Sequence, residues 1–466
     1  MKPDRGSGAS IVGESTSSGA RMRVASARMI LGVLLPALLL ISCTSSKEEH
    51  YVKGSKPVTL NFPHGWSFRP DDLATRAAIS EQFSRESGIQ VRDIPVPEST
   101  FEQLKFFGAL LQQDPSGLDL FAIDPIWSEH FEPDLIDLRP YMQEEIAQVV
   151  PQLLPSYTDN GKVLAIPYEV NIGSLEYRAD LLREYGYDHP PKTWDELEAM
   201  AKKIQAGERA RGKTAFWGYV WQGAESEALT CNALEWQAAE GGGRIVESDR
   251  TISVNNPAAI RAWRRARRWV GSISPPGVVA YHEKDSMNVF DSGGAAFNRL
   301  WLGTSLAPIG PFSRVHWRGS ESRVSTGFTN VPGGPGGWGG TLGGSGLAVS
   351  RHSIYVQETV RLVRFLIHTQ IESIEKRMKV SADHSEFYSP PETDHPDHSD
   401  NSIQGARVVL RPSLEVGSQY AQASALYAAA VHSVLTGEKE APEAAAELEK
   451  QLMSLTGYHA GRVALK

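Results

Sequence analysis

The residues with the chemistry to hold a ligand fall in a few short stretches. Asp124-Pro125-Ile126-Trp127 closes one apolar run, Tyr168-Glu169-Val170-Asn171 sits between two others, and Arg411 stands alone near the end. A carboxylate only accepts hydrogen bonds, an amide both gives and accepts, and a guanidinium presents a planar fork of donors. Four tryptophans, Trp66, Trp127, Trp301 and Trp338, border polar or Gly-rich loops, where a flat ring is free to stack. These types suit a neutral polyol, whose hydroxyls need matched partners because an unmatched buried polar group costs about 1–3 kcal/mol. Each residue also has a plainer use. Asp124 before Pro125 is a natural helix N-cap, and Asn171 fits a side chain-to-backbone turn. Glu169 fits an exposed surface, and Arg411 fits a bridge between lobes.

Other chemistries find less support. Asp124 and Glu169 could form the paired carboxylates of a carbohydrate-active enzyme, but no positioned base, nucleophile elbow or metal triad accompanies them. The nine glycines from Gly333 to Gly346 lack the G-K-[ST] ending of a phosphate loop. His384, His395 and His398 with Asp383, Asp394 and Asp397 have no closed metal-site spacing, so neither metal nor cofactor is expected. The run Arg261 to Trp269 reads as the solvated face of an amphipathic helix.

The elements that must position these residues follow from periodicity. Val58–Phe62, Ile89–Val96 and Leu118–Ile123 read as strands separated by helices over 72–87 and Thr100–Gln113, which indicates a parallel α/β sheet. In such sheets ligands sit beyond the carboxyl ends of strands, where His64-Gly65-Trp66 and Asp124 to Trp127 lie. Residues 160–182 read as a strand, a break at Ile166-Pro167, a polar cluster and a second strand, a pattern suited to crossing between two lobes. Thr193 and Glu196 form a capping box, Trp217–Trp221 a strand, 224–239 a helix, and Asn256-Pro257 another helix start. Residues 323–346 read as loop, 347–349 as a strand, 354–368 as a helix and 383–400 as a polar loop.

A chain of 466 residues with 41% hydrophobic and 22% charged content is globular and holds more than one domain. Arg21, Arg23 and Arg28 precede an apolar run from Met29 to Ile41, then Ser42-Cys43: a secretory signal too short to span a bilayer. Residues 1–42 carry five Lys/Arg and two Asp/Glu; without them 42 basic residues face 53 acidic, a net charge of −11 that argues against nucleic acid. Cys231 is the only other cysteine and reads as a small buried residue.

Six segments in order resemble the sugar-binding family of solute-binding lipoproteins that serve bacterial ABC importers. Leu40-Ile41-Ser42-Cys43, similar to a lipobox, precedes all six. Leu118 to Trp127 is similar to D-V-x-x-x-D-x-x-W, Gly161 to Pro167 to G-K-x-Y-A-x-P with Leu164 for the aromatic, and Leu175 to Leu181 to L-x-Y-R-x-D-L. Pro191 to Leu197 is similar to P-x-T-W-D-E-L, Thr341 to Ala348 to T-L-G-G-x-x-L-A, and Arg411-Pro412-Ser413 to R-P-S. The resemblance spans about residues 57 to 455. It implies a two-lobed α/β periplasmic-binding-protein fold of type II, with discontinuous lobes joined by hinge crossings. Residues 1–42 would be the signal peptide and 43–56 a tether. Residues 57–166 with 330–385 would form the N-terminal lobe, and 167–329 with 386–466 the C-terminal lobe. Asp124, Asn171, Trp301, Gly343, Gly344 and Arg411 would face the cleft. The resemblance further implies a monomer, lipid-anchored through Cys43 outside the cytoplasmic membrane, that hands a di- or oligosaccharide to permease subunits without catalysis. A binding protein for a polyamine or organic anion is the alternative. Glu169 and Asn171 replace residues that some relatives carry, and Ser345 stands where trehalose- and maltose-type relatives often have Trp; Trp338 could supply that ring.

Overall fold

The structure, a computed structural model, describes residues 57–64, 70–97, 99–149, 151, 153–304, 325–382, 402–403 and 406–463. Cys43, Trp66 and the polar loop 383–400 lie outside the described residues. The first half of the chain runs β1 Thr59–His64, α1 Pro70–Ser87, β2 Gln90–Pro95, α2 Thr100–Gln113, β3 Leu120–Ile123, α3 Ser128–Phe131, α4 Gln143–Gln148, the short strands β4 Thr158–Asp159 and β5 Lys162–Val163, and β6 Ile166–Arg178. Then follow α5 Ala179–Glu184, α6 Trp194–Ala210, β7 Trp217–Val220, α7 Glu227–Ala239, α8 Pro257–Trp269, α9 Glu283–Asp291, β8 Ala295–Thr304 and β9 Thr326–Asn330. The chain continues through β10 Gly340–Val349, α10 Val356–Ala382, β11 Ser402–Ile403, β12 Ala406–Val409, α11 Ser413–Val416, α12 Tyr420–Thr436 and α13 Ala441–Thr456.

Helix starts follow local chemistry. The Thr193 hydroxyl accepts from Glu196 N–H at 3.1 Å while the Glu196 carboxylate accepts from Lys192 N–H at 2.7 Å. Asn256 caps α8 by accepting from Ala258 and Ala259 N–H, with Pro257 at the first helical position. In α8, Ala259, Ala262, Trp263, Ala266 and Trp269 are buried, while Arg261, Arg264, Arg267 and Arg268 stay exposed. The amphipathic reading of that run holds.

β1 and β2 pair in parallel, as the strand–helix alternation predicts. β3 departs from that reading: it pairs antiparallel with β10 and joins an eight-stranded mixed sheet, ordered β11-β12-β10-β6-β8-β7 with β9 also on β6. Two further expectations need correction. β6 is one unbroken strand through Pro167, and the expected break is a bulge instead. Glu169 lies opposite Ser345 and Pro167 opposite Gly346, which leaves Tyr168 without a partner; a bulge tolerates proline because the ladder there needs no N–H. The glycine-rich stretch read as loop is half strand, since β10 occupies 340–349. There glycine serves close strand approach: a Cβ on Gly344, whose φ is +116°, would lie 2.0 Å from the Glu169 carbonyl oxygen.

One apolar cluster gathers Leu60, Phe62, Phe83, Leu120, Leu347 and α10 residues such as Val363 and Leu366. A larger one joins Phe107 and Phe121 to α6, α7, α8 and α12 through Trp194, Trp236, Trp263 and Tyr427. β6 and β10 contribute to both.

Candidate functional site

Pairing register builds the site. Asn171 on β6 lies opposite Gly303 on β8 and Gly343 on β10, and the neighbouring Gly173 lies opposite Trp301. Directly opposed residues share a face and alternate residues return to it, so Asn171 and Trp301 stand on one face floored by glycines. Clearances match. A Cβ on Gly303 would come 3.3 Å from Asn171 Oδ1, and one on Gly343 would come 2.9 Å from Trp301 Cζ3. Both polar-tipped side chains are half-buried, a state that leaves surface for a ligand. The Asn171 amide has no hydrogen-bond partner among the described residues.

A buried ionic cluster comes from three distant segments. Arg411 donates from Nη2 to Asp124 Oδ1 at 2.7 Å and from Nη1 to Glu227 Oε1 at 3.0 Å. Glu227 also accepts from the hydroxyls of Tyr420, at 2.7 Å, and Ser424. Burial pushes the Glu227 carboxyl above its ordinary value, against the pull of Arg411 and Ser424. Asp124 combines the two uses open to it, since Oδ1 also accepts from Ile126 N–H at 3.2 Å and caps the 3-10 turn at Pro125–Trp127. Arg411 edges a recess of about 360 Å³ lined by Pro125, Ile126, Arg244, Leu410 and Glu415 among others. Within it Arg244 and Glu415 form a second pair at 2.6 Å.

Glu169 accepts from Arg76 Nη2 of α1 at 2.9 Å. With Tyr168, Ser345, Ser80 and Ala122 they line a recess of about 380 Å³. Tyr157 ties this corner to the ionic cluster. Burial pushes its phenol well above the ordinary value; the Asp124 and Glu169 carboxylates add to the rise and Arg411 opposes it. The buried Cys231 thiol is pushed up to about 12, chiefly by burial, with Glu227 and Glu235 adding to the rise and Arg411 and Arg299 opposing it. Of the expected groups, Asn171, Trp301, Gly343 and Gly344 therefore lie together where β6 pairs with β8 and β10, while Glu169 lines one recess and Arg411, paired with Asp124, lines another.

Two expected rings lie elsewhere. Trp127 is 2% exposed and packs edge-on to Phe107 and Phe131, with centroids 6.0 and 6.1 Å away. It is a core residue, because the 3-10 turn that Asp124 caps drives its ring inward, and it offers no face for stacking. Trp338 is half-buried beside the Gly333–Gly337 turn, which Lys192 and Thr193 hold against the start of α6. Sequence reading missed Arg76, Glu227, Glu235 and Arg299. The available signal was α7 itself: a helix buried nearly all round that carries Glu227, Thr230, Asn232, Glu235 and Gln237 must satisfy each of them internally. Among the described residues no group of three His, Cys, Asp or Glu is arranged to hold a metal ion.

A mixed α/β fold with donors, acceptors and a ring where β6 and β10 pair matches the periplasmic solute-binding class, whose members are transporter binding proteins and not enzymes. The chain belongs to the bacterial extracellular solute-binding protein family, whose model matches residues 65–370. It is 35% identical over 386 residues to a probable ABC transporter-binding protein of Deinococcus radiodurans, across 81% of this chain and 89% of that one. Maltose-bound MalE3 of T. maritima matches with a TM-score of 0.69 and 27% identity, over 85% of this chain and all of that one. The GacH receptor of Streptomyces glaucescens, described unliganded and with acarbose, shares the fold at a TM-score of 0.65 and 20% identity, over 87% of this chain and all of that one. The protein is thus a solute-binding component of an ABC transporter, from an extracellular or periplasmic family.

Proposed function

We propose that the protein reversibly captures a neutral di- or oligosaccharide at the β6–β10 crossing and delivers it to a membrane permease. The observation that carries this reading is the glycine-floored face shared by Asn171 and Trp301, beside ionic groups already paired with one another. A charged solute would have to displace a partner from Asp124, Arg411, Glu227 or Glu169. A sugar needs only hydrogen bonds at their edges and a ring for its C–H face. The maltose bound to MalE3 is consistent with this chemistry. A micromolar affinity corresponds to about −8 kcal/mol, within reach of several matched hydroxyls and one stacked ring. In the same reading, residues 57–166 with 330–385 and 167–329 with 386–466 form the lobes that close on the sugar, and lipidated Cys43 tethers the monomer to the membrane.

A thermal-shift screen of mono- to tetrasaccharides, beginning with maltose, tests the ligand class. We expect at least one sugar to raise the melting temperature, by about 2.7 kcal/mol of stabilisation at a hundredfold excess over Kd. A shift with spermidine or an organic acid and none with any sugar would overturn the reading.

A further inference from the structure

Behind Trp301 lies an ion pair that ligand contact does not use. Arg299 stands two residues earlier on β8, on the same sheet face, and both it and Glu235 of α7 have wholly enclosed side chains. Arg299 Nη2 donates to Glu235 Oε1 at 2.7 Å, and Nε to Oε2 at 3.3 Å. Thr341, at the start of β10, fixes the pair: its N–H donates to Glu235 Oε1 at 2.9 Å, its hydroxyl donates to the same oxygen at 2.6 Å, and Arg299 Nη2 lies 3.1 Å from that hydroxyl. The guanidinium carbon is 3.9 Å from the centroid of the Trp301 ring. Arg299 Nη1 is buried with no hydrogen-bond partner among the described residues.

An enclosed ion pair of this kind contributes little net stability, and apolar residues of similar volume often replace it without loss. Orientation is what an apolar pair would not supply. The guanidinium is flat, its plane is set by the two Glu235 oxygens, and a flat cation attracts and aligns an aromatic face, which lysine does less well. Gly173 leaves room for the pair, since a Cβ there would overlap Glu235 Oε1 at 1.9 Å. Gly343 leaves room for the Cε3–Cζ3–Cη2 rim of the ring.

We propose that Arg299, held by Glu235 and Thr341, is a positioning residue that fixes the plane of Trp301 for stacking on the ligand. This rests on the reading of Trp301 as a sugar platform. The test labels the protein with 5-fluorotryptophan, assigns the Trp301 resonance by its loss in Trp301→Phe, and compares Arg299→Lys and the paired variant Arg299→Met/Glu235→Met, which leaves no lone buried charge. We expect the Trp301 resonance to move and broaden in both variants, with the cooperative melt of the paired variant retained. A resonance unchanged in position and width in the folded paired variant would overturn the proposal, as would full recovery of the wild-type resonance by lysine. Maltose titration separates the two readings: both Trp301→Phe and the paired variant should weaken maltose at least tenfold. If maltose binding is absent or unaffected by Trp301→Phe, stacking on that sugar fails, while the ligand-free resonance still decides whether Arg299 holds the ring.

Discussion

At the scale of single residues, the groups to separate are those that meet the ligand and those that hold the protein together. Asn171 is half-buried, its amide has no hydrogen-bond partner among the described residues, and its backbone stays in the ladder whatever side chain it carries. Asn171→Ala should therefore weaken sugar binding by the net worth of one or two hydrogen bonds, about 0.5–1.5 kcal/mol each, and barely move the melting temperature. Calorimetric titration beside a thermal melt checks both halves; a large melting loss with unchanged affinity would make Asn171 structural. Glu227 belongs to the other group, and its carboxyl is raised by burial. Its folded form holds a proton more tightly than the unfolded chain, so its contribution to stability is full below about pH 4.5, the ordinary glutamate value, and is lost as pH rises through the higher folded value. The wild-type melting temperature minus that of Glu227→Gln should accordingly fall from pH 4 towards pH 8. Sequence could find Asn171, Glu169 and Asp124, because polar residues interrupting apolar runs stand out. Trp127 misled for the same reason: a ring next to Pro125 resembles a loop residue, and only the inward turn of the 3-10 segment shows that it is core.

At the scale of elements, β6 and β10 decide what the site looks like. Element types and most starts were legible from periodicity and caps: α2 spans Thr100–Gln113 and α8 starts at Asn256-Pro257 as the spacing implies. Of β10 only the end, 347–349, was legible, since glycines at 340, 343, 344 and 346 erase both alternation and apolarity before it. Their use appears only when a neighbouring strand comes within contact distance, a non-local fact. Gly344 is the sharpest case, with a φ of +116° and the Glu169 carbonyl where its Cβ would be. Gly344→Ala should cost at least about 1–3 kcal/mol in strain and disturb the bulge that turns Glu169 towards Arg76. Urea denaturation should show that loss. Gly343→Ala meets an indole rim instead of backbone, and should shift ligand affinity more than stability.

At the scale of the whole molecule, the unit from Lys56 to Lys466 is drawn together where sequence-distant segments share charges. Arg411 reaches a carboxylate 287 positions away on the β3 side and another 184 positions away on α7. No local pattern encodes such a meeting, which is why R-P-S suggested a site without revealing its partners. In the lobe assignment proposed above, Asp124 belongs to the N-terminal lobe and Glu227 and Arg411 to the C-terminal lobe, so closure on a sugar would act on this cluster. Arg411→Met leaves two buried carboxylates without their cation, and losing one partner of a buried pair typically costs about 3–5 kcal/mol. We expect denaturant unfolding to show a loss of that order, recovered in part by Asp124→Asn/Glu227→Gln/Arg411→Met, in which no charge remains to be compensated. Sugar titration of the two variants then assigns the role. If the triple variant regains stability and still binds weakly, Arg411 or its carboxylates donate to the ligand as well as to each other. If it regains both, the cluster holds the lobes together and the sugar is read at Asn171 and Trp301.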